Sequence, residues 1–506
     1  MERSGCCKKI DRNVIMHYKT MNLPPLVNIK KIYCVGIKGV GVAPLAMIAC
    51  DAEIEVRGSD TGQEFITDIY LEKKGIVIDT GFEVGTISSF FDGINKENSL
   101  VITTGAHKGF DNPQVVWAKA NGIAVLTQGQ ALATFMDGKI FEKDFKTVAV
   151  AGSHGKTTIT ALLATTLKAY GLDPSYSIGT GEVFPLAAPG HLGGGEYFVS
   201  EADEYASEPV YDRIPKFLYI EPKFAIFNNI DFDHPDLFDS IDRVEDAFIQ
   251  FADNIQSGGK LLVNGDDNRL SQFKDKIEKD IKIITYGENN SNDYVISQIV
   301  THGFSSRFNV TKKGKELGHF ELSIPGLHNA KNSLAVIAFL SEIGLDAEKI
   351  RPCLKEFKGT KRRSELVGNT SNGATIIDDY GHHPLEISTT INSIKEAYPG
   401  KDLAVIFQPH TFSRTKALLA DFGNAFVKAD SLMLLPIFKS ARDTESDTLS
   451  QDEYVGAFEG HKNVHFFEKV EDMVEYVGQN FASSGNVILT IGAGDVYKAG
   501  YLLKNG

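Results

Sequence analysis

The chain has 506 residues, of which 42% are hydrophobic, and it carries a formal net charge of −14. The hydrophobic content excludes a disordered chain, and the acidity argues against a nucleic-acid partner, which needs clustered lysine and arginine. No apolar run reaches the roughly 18 residues of a membrane span, and the basic N-terminus lacks the apolar core of a secretory signal. We therefore expect no membrane insertion.

Cysteine usage and length indicate a compartment and a number of domains. The five cysteines match neither a zinc-binding spacing nor a disulfide framework, which favours reduced thiols in a cytoplasmic protein. At roughly 150 residues per domain, the length predicts about three domains. We place them at residues 29–144, 145–359 and 360–506, after an N-terminal extension over residues 1–28 that we expect to be poorly ordered. The candidate linkers are residues 137–146 and 357–361.

The first domain alternates strands, glycine turns and helices, a rhythm typical of a doubly wound parallel sheet. A strand over 29–35 leads into three glycines and an apolar helix over 42–50. Backbone N–H groups in such a turn can meet a pyrophosphate, so we predict a nucleotide-diphosphate site. A nicotinamide dinucleotide site and glycines that serve only packing are the alternatives. The residues assigned to the site are Gly39, Val40 and Gly41 for the diphosphate, and Asp60 or Thr103 and Thr104 for the ribose or base.

The second domain opens with the most informative motif, a strand over 148–151, a glycine turn, and a helix from Thr157. Glycines let backbone N–H groups close around a phosphate at the positive end of the helix dipole. Lys156 is expected to reach the β- and γ-phosphates of ATP, and the Thr157 hydroxyl to hold Mg²⁺. Val150 replaces the first glycine of the strict motif, so the loop is a shortened variant. The predicted ATP-binding residues are Gly152, Ser153, His154, Gly155, Lys156, Thr157 and Thr158.

Two acidic loops follow strands of the same domain, at residues 201–204 and 231–234. Ligands sit at the carboxyl ends of strands in sheets of this type, and Mg²⁺ prefers hard oxygen ligands. Glu201 and Thr157 suit that role, whereas His234 is a less usual ligand. Further along, residues 328–332 are predicted to open a helix over 333–342, after a local β-excursion at 289–320. Asn329 or Asn332 would suit the adenine edges of ATP, and a helix N-cap is the alternative for either.

The third domain offers groups for anions at the hinge and after its first strand. Strands are predicted over 374–377, 403–407, 431–435 and 487–491. The planar fork of Arg363 pairs with a phosphate or a carboxylate, and Asp379 could hold the ATP ribose. Arg414 is able to clamp an amino-acid carboxylate, with His410 beside it. His382 and His383 are candidate general bases or ordinary loop residues.

Four motifs taken together resemble the Mur ligase family, which adds amino acids to the muramic acid precursor of peptidoglycan. They are residues 151–158, residues 201–204, Asn229-Ile230 with Asp233-His234, and His328-Asn329-Ala330 with Asn332. The resemblance extends over nearly the whole chain from about residue 29. It implies an α/β fold of three domains: N-terminal Rossmann-like, central P-loop ATPase-type and C-terminal Rossmann-like. It also implies that ATP is bound through Lys156 and Mg²⁺ through Thr157, Glu201 and His234.

The third-domain residues and the N-terminal glycine turn imply UDP-N-acetylmuramate as the acid substrate and L-alanine as the amine. By this resemblance, Tyr380, His410 and Arg414 bind the amino acid. ATP would convert the lactyl carboxylate to an acyl phosphate, with Lys156, Arg363 and His383 as the expected catalytic residues. The region from residue 216 through residue 229 resembles instead the ligase that uses the recycled tripeptide L-Ala-γ-D-Glu-diaminopimelate, which is the alternative. A nicotinamide-dependent oxidoreductase and an inactive nucleotide-binding module are more distant alternatives. The sequence is silent on oligomeric state.

Overall fold

The computed structural model describes residues 26–232, 237–277, 279–438 and 448–505. They form two compact units. The first unit contains the described residues up to Ser297 together with Asn309–Gly318 and Asn332–Glu356. The second contains Gln298–Phe308, His319–Lys331 and the described residues from Phe357 onward. Most of the predicted N-terminal extension lies outside the described residues.

Strands and helices alternate through most of the chain. The strands are β1 (Lys31–Val35), β2 (Glu55–Asp60), β3 (Val77–Thr80), β4 (Ser99–Thr103), β5 (Ala124–Thr127), β6 (Lys146–Ala151), β7 (Ser175–Ser177), β8 (Val183–Phe184), β9 (Gly190–His191), β10 (Tyr197–Glu201), β11 (Ala206–Glu208), β12 (Asp212–Pro215), β13 (Phe224–Phe227), β14 (Lys260–Asn264), β15 (Lys282–Gly287), β16 (Tyr294–His302), β17 (Ser305–Lys312), β18 (Lys315–Leu322), β19 (Gly359–Thr360), β20 (Glu365–Asn369), β21 (Thr375–Asp379), β22 (Asp402–Phe407), β23 (Ser431–Leu434), β24 (Val464–Phe466) and β25 (Asn486–Ile491). The helices are α1 (Ala43–Asp51), α2 (Asp68–Lys73), α3 (Val84–Phe90), α4 (Pro113–Ala120), α5 (Gln128–Asp137), α6 (Lys156–Ala169), α7 (Ile241–Asp253), α8 (Phe273–Lys276), α9 (Leu327–Glu342), α10 (Ala347–Lys355), α11 (Pro384–Ala397), α12 (Phe412–Ala417), α13 (Leu419–Ala425), α14 (Gln451–Gly456), α15 (Val470–Asn480) and α16 (Tyr497–Asn505).

The N-terminal sheet has five parallel strands in the order β3-β2-β1-β4-β5. Both of its faces are covered, which explains the continuous apolar run of β1. Ile32 and Cys34 belong to one buried cluster, and Tyr33 and Val35 to another. The strand order reverses between β1 and β4, so the loops after these two strands flank the crevice where such sheets bind ligands.

The central sheet contains the strands β15-β14-β13-β6-β10-β7-β9 in that order. Pairing is parallel throughout this series except between β7 and β9. The phosphate-loop strand β6 lies between β10 and β13. The three loops that follow these strands therefore meet at one edge of the sheet. The predicted β-excursion is confirmed as β16 to β18.

The C-terminal sheet has the order β20-β21-β25-β22-β23-β24, with β20 antiparallel and the others parallel. Its strands also alternate between two buried clusters, with Ile377 and Val405 on one face and Ile376 and Ile406 on the other. The four predicted strands of this region are confirmed by β21, β22, β23 and β25.

The three sheets fit the predicted α/β fold, but the first two pack into a single compact unit. Direct contacts join them: His191 Nδ1 lies 2.9 Å from Asp51 Oδ2, and Thr127 Oγ1 lies 3.0 Å from Ser207 Oγ. The first candidate linker, residues 137–146, is packed, because Ile140 and Phe145 are both buried in the core of this unit.

Within the described residues, no helix is both long and apolar enough to span a membrane.

Candidate functional site

The phosphate loop, residues 152–155, connects β6 to the N-terminus of α6. Neighbouring strands place the acidic loop from Glu201 on one side of it and the loop from Asn228 on the other. The predicted strand, turn and helix are thereby confirmed. The edge collects backbone N–H donors, a lysine and carboxylates, the groups that bind a phosphate and its metal ion.

Two asparagines from the loop after β13 hold the phosphate loop in its conformation. Asn229 Oδ1 accepts the N–H of His154 at 2.7 Å, and Asn229 Nδ2 donates to the carbonyl of the same residue at 3.1 Å. Asn228 Nδ2 donates to His154 O and to Asn332 Oδ1, each at 3.1 Å. The Asn228 Oδ1 atom in turn accepts the Tyr286 hydroxyl at 3.1 Å. The amides of Asn228 and Asn229 thus fix the backbone that is to surround the phosphate.

Gly155 satisfies two requirements of this turn. Its φ of +84° lies in the left-handed region, and a Cβ at this position would lie 2.7 Å from Asn228 Nδ2 and 3.1 Å from Asn332 Oδ1. A side chain would therefore strain the backbone and displace both amides.

We expect Gly155→Ala to weaken ATP binding and to lower kcat/KM by roughly 100-fold, because a shift of the loop misplaces the phosphate. Gly171→Ala is the matched control: its φ is +92°, and no atom lies within 4 Å of its added Cβ. The control should cost about 1–2 kcal/mol of stability from backbone strain alone and leave ATP affinity unchanged. Titration with ATP, together with thermal unfolding, separates the two effects. Equal ATP affinity in both variants would contradict the packing requirement.

Lys156 begins α6 and points back across the loop. Its Nζ donates to the Gly152 carbonyl at 2.6 Å and to Glu204 Oε2 at 2.9 Å. Burial opposes its charge, but Glu204, Asp203 and Glu201 outweigh it, so the pKa of Lys156 is raised. The lysine is therefore a cation throughout the ordinary pH range, as phosphate binding requires.

Thr157 and Glu201 place two oxygen donors side by side. The Thr157 hydroxyl donates to Glu201 Oε2 at 3.0 Å, and Glu201 Oε1 accepts the Gly179 N–H at 2.6 Å. Burial raises the pKa of Glu201 to about 7, and the charge of Asp203 acts in the same direction. Hard oxygens at the start of a helix fit a Mg²⁺ ion bound beside a phosphate. His234, the third predicted ligand, lies outside the described residues.

The N-terminal glycine turn follows β1 as predicted and is held by Asp60. Asp60 Oδ2 accepts the Lys38 N–H at 2.8 Å, and Asp60 Oδ1 accepts the Thr61 N–H at 2.7 Å. Thr104 approaches the turn closely, since a Cβ on Gly36 would lie 2.6 Å from its methyl group. The turn with Gly39, Val40 and Gly41 is thus adjacent to Asp60 and to Thr104, which follows the buried Thr103 at the end of β4.

In the second unit, Asp379 ends β21 and binds the backbone around it. Its Oδ2 accepts the Ser364 N–H at 2.7 Å, and its Oδ1 accepts the Gly381 N–H at 2.7 Å. Burial raises the pKa of Asp379, and the charge of Arg363 opposes the shift. The Arg363 guanidinium lies 5.2 Å from the centre of the Tyr380 ring. The structure thus brings Arg363, Asp379 and Tyr380 together.

The remaining third-domain candidates lie after β21 and β22. His383 is the N-cap of α11, and its Nδ1 accepts the Leu385 N–H at 3.3 Å. His410 follows β22, and its ring centre lies 6.3 Å from that of His382. Arg414 lies in the short helix α12. Because β21 and β22 both pair in parallel with β25, these loops lie at the same edge of the sheet.

One predicted helix boundary is wrong. Helix α9 begins at Leu327, so Asn329 and Asn332 lie inside it and neither is its N-cap. Asn329 Nδ2 donates to the Pro325 carbonyl at 2.6 Å, and Asn332 binds Asn228. Sequence reasoning gave no role to Asn228 or Glu204. Asn228 directly follows β13, and Glu204 lies in the loop after β10. These positions were the available signal, since strand ends carry the ligands in such sheets.

Comparisons with known proteins cover all three sheets. Residues 31–140 match the family model described as Mur ligase family, catalytic domain, residues 150–340 the Mur ligase middle domain, and residues 362–494 the Mur ligase, glutamate ligase domain. A UDP-N-acetylmuramate–L-alanine ligase of Caldanaerobacter subterraneus is 37% identical over 94% of this chain and 97% of its own length.

Solved structures agree with this relationship. The crystal structure of UDP-N-acetylmuramate-alanine ligase from Thermotoga maritima has a TM-score of 0.73 at 26% identity, covering 94% of this chain and 98% of that one. A murein peptide ligase from Psychrobacter arcticus has a TM-score of 0.68 at 24% identity over the same shares of the two chains, and shows the common fold. The chain therefore belongs to the Mur ligase family and is an ATP-dependent ligase.

Proposed function

We propose that this chain joins L-alanine to the lactyl carboxylate of UDP-N-acetylmuramate, forming UDP-N-acetylmuramoyl-L-alanine, ADP and phosphate. The observation that carries the ATP chemistry is the grouping of Lys156, Thr157 and Glu201 at the start of α6. The choice of L-alanine is supported by the 37% identical relative, a UDP-N-acetylmuramate–L-alanine ligase that the chain matches along nearly its whole length.

The first step transfers the γ-phosphoryl group of ATP to a carboxylate oxygen, giving an acyl phosphate and ADP. This transfer depends mainly on positioning and on neutralising charge. The backbone N–H groups of residues 152–155 and the Lys156 ammonium would hold the phosphates. Arg363 is the proposed second cation and Asp379 the proposed partner of the ribose. Asn329 and Asn332 remain proposals for the adenine.

Thr157 and Glu201 are the proposed Mg²⁺ ligands, with His234 as a third. Their oxygen donors fit a hard cation, and the ion would supply neutralising charge for the phosphates. In the first sheet, the turn from Gly39 to Gly41, with Asp60, Thr103 and Thr104, is the proposed site of the UDP group.

The second step forms the amide. The amine of L-alanine attacks the acyl phosphate carbon, and inorganic phosphate leaves from the tetrahedral intermediate. Tyr380, His410 and Arg414 are proposed to bind the amino acid, and His383 to accept the amine proton. In the structure, His383 Nδ1 accepts the Leu385 N–H at the start of α11.

Phosphate release from ATP in the presence of UDP-N-acetylmuramate tests this proposal. L-Alanine, glycine, L-serine and the tripeptide L-Ala-γ-D-Glu-diaminopimelate are compared as acceptors, with product mass as the second readout. We expect the highest kcat/KM with L-alanine. Release with the tripeptide alone would replace the alanine assignment with the recycling alternative.

We propose the cytoplasm as the location, since the reaction consumes ATP.

A further inference from the structure

We propose that Phe438 is a specificity-determining residue that forms the wall against the side chain of the amino-acid substrate and excludes side chains larger than methyl. The inference rests on the proposed function, because it places the amino acid beside Tyr380, His410 and Arg414. It concerns a residue that no motif of the sequence singles out.

The backbone fixes Phe438 to the segment that carries His410. The Phe438 N–H donates to the Pro409 carbonyl at 2.8 Å, and the Thr411 N–H donates to the Phe438 carbonyl at 3.2 Å. These two bonds flank His410 and form a parallel bridge between it and Phe438. The two residues are therefore neighbours across this bridge.

The rings of the two residues are stacked. Their centres lie 5.8 Å apart, with an angle of 14° between the planes. The ring centre of His382 lies 6.3 Å from that of His410, and the ring centre of Tyr380 lies 5.2 Å from that of His382. Phe438 thus adds an apolar ring to the cluster formed by Tyr380, His382 and His410.

Gly494 packs against the side chain of Phe438, which limits movement of the ring away from His410. A Cβ at Gly494 would lie 2.8 Å from Phe438 Cγ and 2.5 Å from Gln408 Oε1. Since Gly494 has no positive φ, contact with these two side chains is the reason for glycine at this position. The backbone of the loop after β25 therefore supports the ring from behind.

This arrangement separates two tasks in the amino-acid site. The polar groups of Tyr380, His410 and Arg414 suit the carboxylate, which every amino acid shares. The rigid ring beside His410 meets the side chain, which differs between amino acids. A pocket wall discriminates by roughly 10- to 200-fold for each methylene that it excludes.

The test compares Phe438→Ala and Phe438→Leu with the wild-type chain, using L-alanine, L-2-aminobutyrate and L-valine as acceptors. We expect the ratio of kcat/KM for L-2-aminobutyrate to that for L-alanine to rise at least about tenfold in Phe438→Ala and less in Phe438→Leu. The KM for ATP should not change. Phe467→Ala is the matched control, since Phe467 also lies beside a histidine, with 6.4 Å between its ring and that of His465. Its ratio should equal that of the wild type.

Two results would overturn the inference. One is an unchanged ratio in Phe438→Ala with activity toward L-alanine retained. The other is loss of all turnover in both variants, because a wall that only excludes larger side chains is not needed for alanine. A wild-type chain inactive with every single amino acid would instead refute the proposed function, and the inference with it.

Discussion

Replacement of Lys156 by alanine is expected to lower kcat/KM by about 10³-fold or more, with any acceptor. Its ammonium is the partly buried cation of the phosphate loop, and loss of one positioned charge or donor lowers the rate by about 10²- to 10³-fold. The lysine also bonds to Gly152 and Glu204 inside the loop, so ATP affinity should fall as well. Phosphate release and equilibrium binding of ATP measure the two effects.

Lys168→Ala is the control for this prediction. Lys168 is an exposed lysine in the last turn of the same helix, so its removal changes the net charge equally without touching the loop. Its kcat/KM should stay within about twofold of the wild type, since surface substitutions of this kind are nearly neutral. Turnover by Lys156→Ala at the control rate would remove the phosphate loop from the mechanism.

Replacement of Arg362 by glutamine is expected to destabilise the second unit by about 3–5 kcal/mol, because it leaves Asp378 buried without its cation. Arg362 Nε lies 3.2 Å from Asp378 Oδ2, and both residues are buried. The guanidinium lies between the rings of Tyr380 and Tyr497, with 5.2 and 4.7 Å to their centres. Denaturant unfolding, followed by a probe in this unit, measures the loss.

The loss of stability in Arg362→Gln should increase with pH. Burial raises the pKa of Asp378 to about 7, and Arg362 opposes this shift. A carboxyl group with a raised folded-state pKa contributes stability below its unfolded pKa of about 4, which is lost as the pH rises through the folded value. Without Arg362, ionisation of the buried Asp378 destabilises the folded state further. The difference in the free energy of unfolding between wild type and variant should therefore be larger at pH 8 than at pH 5.5.

Two further variants complete this test. Adding Asp378→Asn to Arg362→Gln removes the uncompensated charge, so most of the pH dependence should disappear. Lys395→Gln breaks the exposed pair of Lys395 and Asp430, whose charged atoms lie 2.7 Å apart. It should cost no more than about 1 kcal/mol, as surface ion pairs do. If Arg362→Gln and Lys395→Gln lowered the free energy of unfolding equally, the claim that Arg362 compensates a buried charge would be contradicted.

The sequence predicted those parts of the fold that depend on local pattern. The apolar strand β6, its glycine turn and α6 follow one another within 25 residues and need no distant partner to be recognised. Four of the six strands of the third sheet were predicted for the same reason. The start of α9 differs from the prediction, because Leu327 and the residues directly after it are already helical.

Contacts between distant residues could not be predicted in this way. Asn228 and Asn332 are separated by 104 residues and meet only through the packing of α9 near the central sheet. The packing of the first sheet with the second in one compact unit includes contacts such as that between Asp51 and His191, which lie 140 residues apart. No sequence motif distinguishes Phe438 from the other phenylalanines, and only the His410 ring stacked on it gives it a candidate role.

The amide bridge from Asn228 and Asn229 to His154 has a consequence for the thermodynamics of nucleotide binding. Ordering a flexible backbone takes roughly 1–2 kcal/mol for each residue that is fixed. Hydrogen bonds within the protein already order the residues that are to surround the phosphate, so that entropy is lost on folding and not on binding. We therefore expect that ordering of the phosphate loop does not reduce the affinity for ATP, which depends on the contacts of the nucleotide itself.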